Sequence, residues 1–111
     1  MKKYEVTIPL TILLQLENIK DYISNVLFNP EAAINVVSKL LDDMESLEVV
    51  PERGFSADEK ARKQISKTHA TFGIVTDDRD YLIFYSIDSD NLKVYITHLM
   101  PVKSDYAKLF L

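Results

Sequence analysis

The sequence predicts an α+β domain, a helical hairpin packed on a small antiparallel sheet, with elements in the order β-αα-βββ-α. Three observations predict it. Apolar residues recur at spacings of three and four between residues 12 and 47, the apolar period changes to two after residue 69, and two polar clusters divide that second half into three runs. A chain of 111 residues with 47% hydrophobic content has material for one core, so residues 1–111 are taken as a single domain.

The first strand is residues 3–8, where Tyr4, Val6 and Ile8 alternate with Lys3, Glu5 and Thr7. Pro9 or Thr11 then opens a helix. Ile12, Leu16, Ile19, Ile23 and Val26 form one stripe on it, with Gln15, Glu17, Asn18, Lys20 and Asp21 on the polar side. Asn29-Pro30-Glu31 starts the second helix: Asn accepts from free backbone donors, Pro suits the first helical position, and Glu complements the positive helix end. Its stripe is Ala33, Val37, Leu40, Met44 and Leu47, flanked by Ile34 and Leu41, and Val49-Val50-Pro51 closes it. Two such helices joined by a short turn make an antiparallel hairpin with both stripes facing one apolar surface.

Ser56-Ala57-Asp58-Glu59 has the spacing of a capping box, and residues 57–66 read either as a short third helix or as a mobile loop. Residues 69–76, 81–87 and 92–100 are strands, separated by the polar turns DDRD and DSDN, which specifies an antiparallel meander. Pro101 cannot donate to a ladder and ends the last strand. From Lys103 the chain is expected to form a short helix that returns Tyr106, Leu109 and Phe110 towards the core.

Composition narrows the chemistry. There is no cysteine, hence no disulfide and no thiolate metal site. Two glycines leave no phosphate-binding loop, and the aspartates at 77, 78, 80, 88 and 90 fall in turns, where Asp is favoured locally; no metal and no cofactor is expected. The basic, apolar N-terminus is interrupted by Glu5, Gln15, Glu17 and Asn18, and no uninterrupted apolar stretch could span a membrane, so the expectation is a cytoplasmic protein without membrane contact. The net charge of −4 opposes binding of nucleic acid by the protein as a whole. Charge distribution is more informative: Arg53, Lys60, Arg62, Lys63 and Lys67 face only Asp58 and Glu59, a basic segment in an acidic chain.

The two histidines have plain readings. His98 is placed on one strand face with Leu92, Val94, Ile96 and Met100, at a core margin; His69 is an exposed residue at a strand start. Tyr81, Phe84, Tyr85 and Tyr95 have strand spacing, which makes core packing their default role.

Four stretches together resemble the RelE/ParE toxins of bacterial toxin–antitoxin modules: Asn29 to Ala32, Pro51-Glu52-Arg53-Gly54, Tyr81 to Tyr85, and the closing Lys103-Ser104-Asp105-Tyr106. The resemblance covers almost the whole chain. It departs where the family's last strand often carries Arg and then His before a basic pair; here those positions hold His98 and Pro101, and the pair is Lys103-Ser104.

The resemblance implies one of two biochemistries. RelE-like members cut messenger RNA in the ribosome, whereas ParE-like members poison DNA gyrase without a hydrolytic site. Metal-independent RNA cleavage needs a base, an acid for the leaving oxygen and cations for the phosphate charge. On that branch Lys67, His98 and Tyr106 are the catalytic candidates, and Arg62, Lys63, His69 and Lys103 the RNA or partner contacts. The expectation places the endoribonuclease ahead of the gyrase inhibitor, with a degenerate, non-toxic protein-binding member as the third reading. The implied partners are a cognate acidic antitoxin, the ribosome and mRNA or alternatively gyrase, and a homodimer or a heterotetramer with the antitoxin.

Overall fold

β1 (Glu5–Thr7) is too short to hold itself and is fixed by its ladder: it pairs in parallel with β5 (Lys93–Pro101), Glu5 opposite Lys93 and Thr7 opposite Tyr95. The computed structural model describes residues 2–104. α1 (Leu10–Asp21) starts from Pro9, whose carbonyl oxygen accepts from Ile12 and Leu13. It continues as a π-helical turn, Tyr22–Val26. A π turn takes more residues per revolution than an α turn and swings the later side chains off the stripe. Ile12 and Leu16 are therefore buried and Ile19 and Ile23 half-buried, but Val26 is exposed, contrary to the periodicity.

Asn29 caps α2 (Pro30–Glu45) as its sequence predicts, its Oδ1 accepting from the Ala32 N–H at 3.1 Å. Ala33, Leu40, Met44 and, just beyond the helix, Leu47 are fully buried. A five-stranded sheet in the order β1-β5-β4-β3-β2 lies beneath, in which β2 (Phe55–Ser56), β3 (Ala70–Val75), β4 (Tyr81–Asp88) and β5 pair antiparallel with one another in that succession. The helical layer covers one sheet face: Ile12, Leu16, Leu40 and Met44 meet Ile83, Tyr85, Val94, Ile96 and Leu99.

The segment after α2 settles the ambiguity left by the sequence. α3 (Ala57–Ala61) is a helix, but only five residues long. The Ser56 hydroxyl oxygen caps it by accepting from Glu59 N–H, and Arg62 ends it in the left-handed conformation at φ 56°. It lies on the face opposite the hairpin, where Ala57, Phe55 and Ile65 close over Leu82, Phe84 and Met100. The central strand β4 is thus covered on both faces, which explains its continuous burial from Leu82 to Asp88.

β5 corrects the expected placement of His98. Phe84 pairs with His98 but Tyr85 pairs with Ile96, so Thr97 is an extra residue, a β-bulge. The bulge flips the alternation. Val94 and Ile96 face the helical layer, whereas His98 and Met100 lie on the other face with Phe84. His98 does not share a face with Leu92, Val94 and Ile96.

Pro51-Glu52-Arg53-Gly54 is scaffold. The Tyr85 hydroxyl donates to the Pro51 carbonyl oxygen at 2.6 Å, and Gly54 packs so closely against that hydroxyl and the Gly73 carbonyl oxygen that a Cβ would overlap both. Arg53 donates to the Ser46 and Val49 carbonyl oxygens and to the Ser46 hydroxyl, satisfying acceptors left free at the end of α2. β5 ends at Pro101, opposite Tyr81, as its missing donor predicts. Residues 101–104 turn, with Ser104 N–H donating to the Pro101 carbonyl oxygen; the expected terminal helix with Asp105, Tyr106, Leu109 and Phe110 lies outside the described residues.

Candidate functional site

The sheet face away from the hairpin carries most of the residues singled out by the sequence. α3 covers one part of it and the register arranges the rest in rows. Thr7, Tyr95, Ser86 and Thr71 line up across β1, β5, β4 and β3; Glu5, Lys93 and Asp88 form the next row.

Asp58 locks the basic turn to this face. Its Oδ1 accepts from Ile65 N–H at 2.9 Å, its Oδ2 from Thr71 N–H at 3.2 Å, and its carbonyl oxygen from Lys63 N–H. Arg62, Lys63 and Lys67 stay exposed on that turn, and Lys60 stands over the Phe55 ring at 5.6 Å. The turn therefore presents a positive surface. Arg53, the first residue of the basic run, is separate from it, committed to the end of α2.

His69 closes the turn. Its Nδ1 lies 2.8 Å from Thr68 Oγ1, its Nε2 lies 3.6 Å from Asp88 Oδ2, and its ring is 6.3 Å from that of Tyr95. Asp88 is itself held by Asn91 through a side-chain hydrogen bond of 2.8 Å and a backbone one of 3.2 Å. The Asn91 side chain holds the Asp88 carboxyl below the usual range, burial opposes it, and the Asn91 N–H and His69 add to the lowering. Sequence reasoning missed Asp88 and Tyr95 as the neighbours of His69, because only the strand register brings them together.

His98 is half-buried, edge to face with Phe84, its Nδ1 3.0 Å from Thr97 Oγ1. Burial depresses its pKa, so the ring is neutral near pH 7. Lys103 is exposed in the turn after β5, and Tyr106 lies outside the described residues.

A second charged feature lies on the helical side. Asp42, Asp43, Asp77 and Asp78 surround a cleft of about 300 Å³ with Lys39. Burial raises the Asp43 carboxyl, and the neighbouring carboxylates of Asp77, Asp78 and Asp42 add to this. At Asp78 burial also raises the pKa, but hydrogen bonds from Thr76 and the Asp80 N–H, with Lys39, outweigh it and leave a lowered value. Among the described residues no group of three or more His, Asp or Glu side chains is arranged to hold a metal ion, and no helix is long and apolar enough to cross a membrane.

The family model of the ParE toxin of the type II toxin–antitoxin system parDE matches residues 11–106. Two solved structures share the fold. The chromosomal ParDE toxin–antitoxin system of P. aeruginosa superposes with a TM-score of 0.69 at 15% identity, covering 91% of this chain and 98% of that one. The archaeal RelE–RelB complex of Pyrococcus horikoshii OT3 superposes with a TM-score of 0.56 at 18% identity, covering 91% and 97%. No curated protein matches the sequence.

Proposed function

Because the chain belongs to the ParE toxin family of type II toxin–antitoxin systems, we propose that it is a toxin that acts by binding a protein target, DNA gyrase, and is neutralised by an antitoxin. This reverses the order expected from sequence, which put RNA cleavage first. The observation that supports the reading is how the described nuclease candidates are engaged. Lys67 is exposed on the turn after α3, His98 is half-buried on Phe84 and neutral, and both ring nitrogens of His69 already have neighbours in Thr68 and Asp88. Metal-independent cleavage needs a base, an acid and a cation around one phosphate. The two histidines are held by different neighbours, His69 by Thr68, Asp88 and Tyr95, and His98 by Thr97 and Phe84, which favours a structural use of both.

The match to a ParE model over residues 11–106 supports the same branch. The basic turn, Arg62, Lys63 and Lys67, is then a contact surface for an acidic segment of antitoxin or target rather than a phosphate clamp. Induced expression in bacteria tests the reading. Growth arrest with a DNA-damage response and intact messages is expected; messages cut within their coding regions would return the assignment to the nuclease.

A further inference from the structure

The crest of the basic turn, residues 66–69, carries two hydroxyls that the fold positions and the proposed contact leaves unused. Ser66 Oγ accepts from the Thr68 and His69 N–H groups at 3.2 and 3.3 Å, a local loop that fixes the crest. That oxygen is committed, and Ser66 is half-buried. Thr68 is exposed. Its Oγ1 lies 2.8 Å from His69 Nδ1 and 3.3 Å from Ser66 Oγ. His69 Nε2 lies 3.6 Å from Asp88 Oδ2, and Asp88 is fastened to Asn91. Thr68 is thus an outward hydroxyl whose direction is set by side chains running back to β4.

The charge around it suits an anionic donor. Lys67 directly precedes Thr68, and Arg62 and Lys63 stand exposed on the same turn. Among the described residues none of these three cations forms an ion pair. Asp58, at the base of the turn, already spends its carboxylate oxygens on the Ile65 and Thr71 N–H groups.

We propose that Thr68 is a phosphorylation site, and that its phosphate releases the acidic segment held by the basic turn. The donor is a nucleoside triphosphate brought by a protein kinase that reads the upstream Arg62 and Lys63 through its own carboxylates. The bond from Thr68 Oγ1 to the γ-phosphorus forms as the bond from that phosphorus to the bridging oxygen breaks. The nucleoside diphosphate leaves with the oxygen, and the hydroxyl proton passes to the base of the kinase. The product adds about −1.5 to −2 of charge to the turn and sets three acceptor oxygens beside Lys67 and His69. Phosphate and acidic partner then compete for the same cations. The release rests on the reading of Arg62, Lys63 and Lys67 as a contact surface; the modification rests on Thr68 alone.

Two measurements on the whole protein test this. Protein isolated from its native host and mapped by tandem mass spectrometry should carry phosphate on Thr68 in part of the population. Arg62→Gln with Lys63→Gln should lower that occupancy several-fold while circular dichroism stays unchanged. Phosphate on Ser66 alone, or on neither residue, overturns the proposal. In the second measurement Thr68 is replaced by phosphothreonine during synthesis, and binding of a labelled Glu-rich peptide is followed by fluorescence anisotropy. The modified protein should bind about tenfold more weakly at low salt, the difference shrinking as salt rises. Thr68→Val should bind as the wild type does, which separates loss of the hydroxyl from gain of the phosphate. Equal binding by the modified and unmodified proteins overturns the proposal. If the unmodified protein does not bind the peptide at all, the contact reading of the basic turn fails, and the release fails with it whatever the mass map shows.

Discussion

Phe84 stands opposite His98, edge to face with ring centroids 6.3 Å apart, because Thr97 is an extra residue in β5. Without the bulge, the register that pairs Tyr85 with Ile96 would carry the next position onto Phe84 and put His98 under the helices. The bulge thus moves a titratable ring from the main core to the margin of the second, smaller one.

That placement has a pH consequence. Burial lowers the folded-state pKa of His98, whereas in the unfolded chain it titrates near about 6.5. The unfolded state therefore takes up the proton first, and stability is lost as pH falls below about 6.5 towards the folded value. Urea unfolding in a descending pH series should show this loss, and His98→Gln should flatten the part of the slope that His98 supplies. An unchanged slope in the variant would mean that the ring titrates alike in the folded and unfolded protein.

Tyr85 anchors the exit from α2. Its phenol is fully buried, donates to the Pro51 carbonyl oxygen, and is pushed up to about 12 by burial, with Arg53 and the Gly54 N–H pulling the other way. Tyr85→Phe leaves that carbonyl without its partner and should cost about 1–3 kcal/mol in denaturant unfolding. A phenol raised in the fold stabilises it fully below pH 10 and loses that contribution as pH rises from about 10 towards 12. The wild type should weaken more steeply in that window than Tyr85→Phe.

The two glycines are both sites of close approach. Gly54→Ala would drive a Cβ into the Tyr85 hydroxyl and the Gly73 backbone, and Gly73→Ala would drive one into the Phe55 ring. Each should lower stability by about 1–3 kcal/mol. Gly54→Ala should be the more damaging, because one of the atoms it meets is backbone and cannot rotate away. Comparing the melting temperatures of the two variants checks the order.

Lys67 and His69 separate contact from catalysis. Lys67→Ala should leave toxicity within about a fewfold of wild type, since removing one rim cation costs about 1 kcal/mol or less. His69→Asn releases the Asp88 contact and the Tyr95 ring contact and should loosen the turn, read as faster amide exchange over residues 62–69. Complete loss of growth arrest in either folded variant would favour a chemical role.

Much of the fold was legible in the sequence. The Asn29 cap, the α2 stripe, the two polar turns and the stop at Pro101 are local signals, and each appears where its residues place it. What escaped was non-local or a matter of one residue. The π turn that exposes Val26 and the bulge at Thr97 each add a residue to an otherwise regular period, and no residue type marks them. At the candidate site, the charges of Arg62, Lys63 and Lys67 were visible, but the pairing of His69 with Asp88 depends on the β3–β4 register. Arg53 looked like one more surface cation and is instead the cap on the end of α2.

As proposed, this toxin works by occupying a protein rather than by cutting RNA. The most direct measurement is supercoiling of relaxed plasmid by purified gyrase as the toxin is titrated in. The expected result is a rate that falls with toxin concentration and recovers when the neutralising protein is added. Supercoiling at the full rate in a large excess of folded toxin would contradict the account.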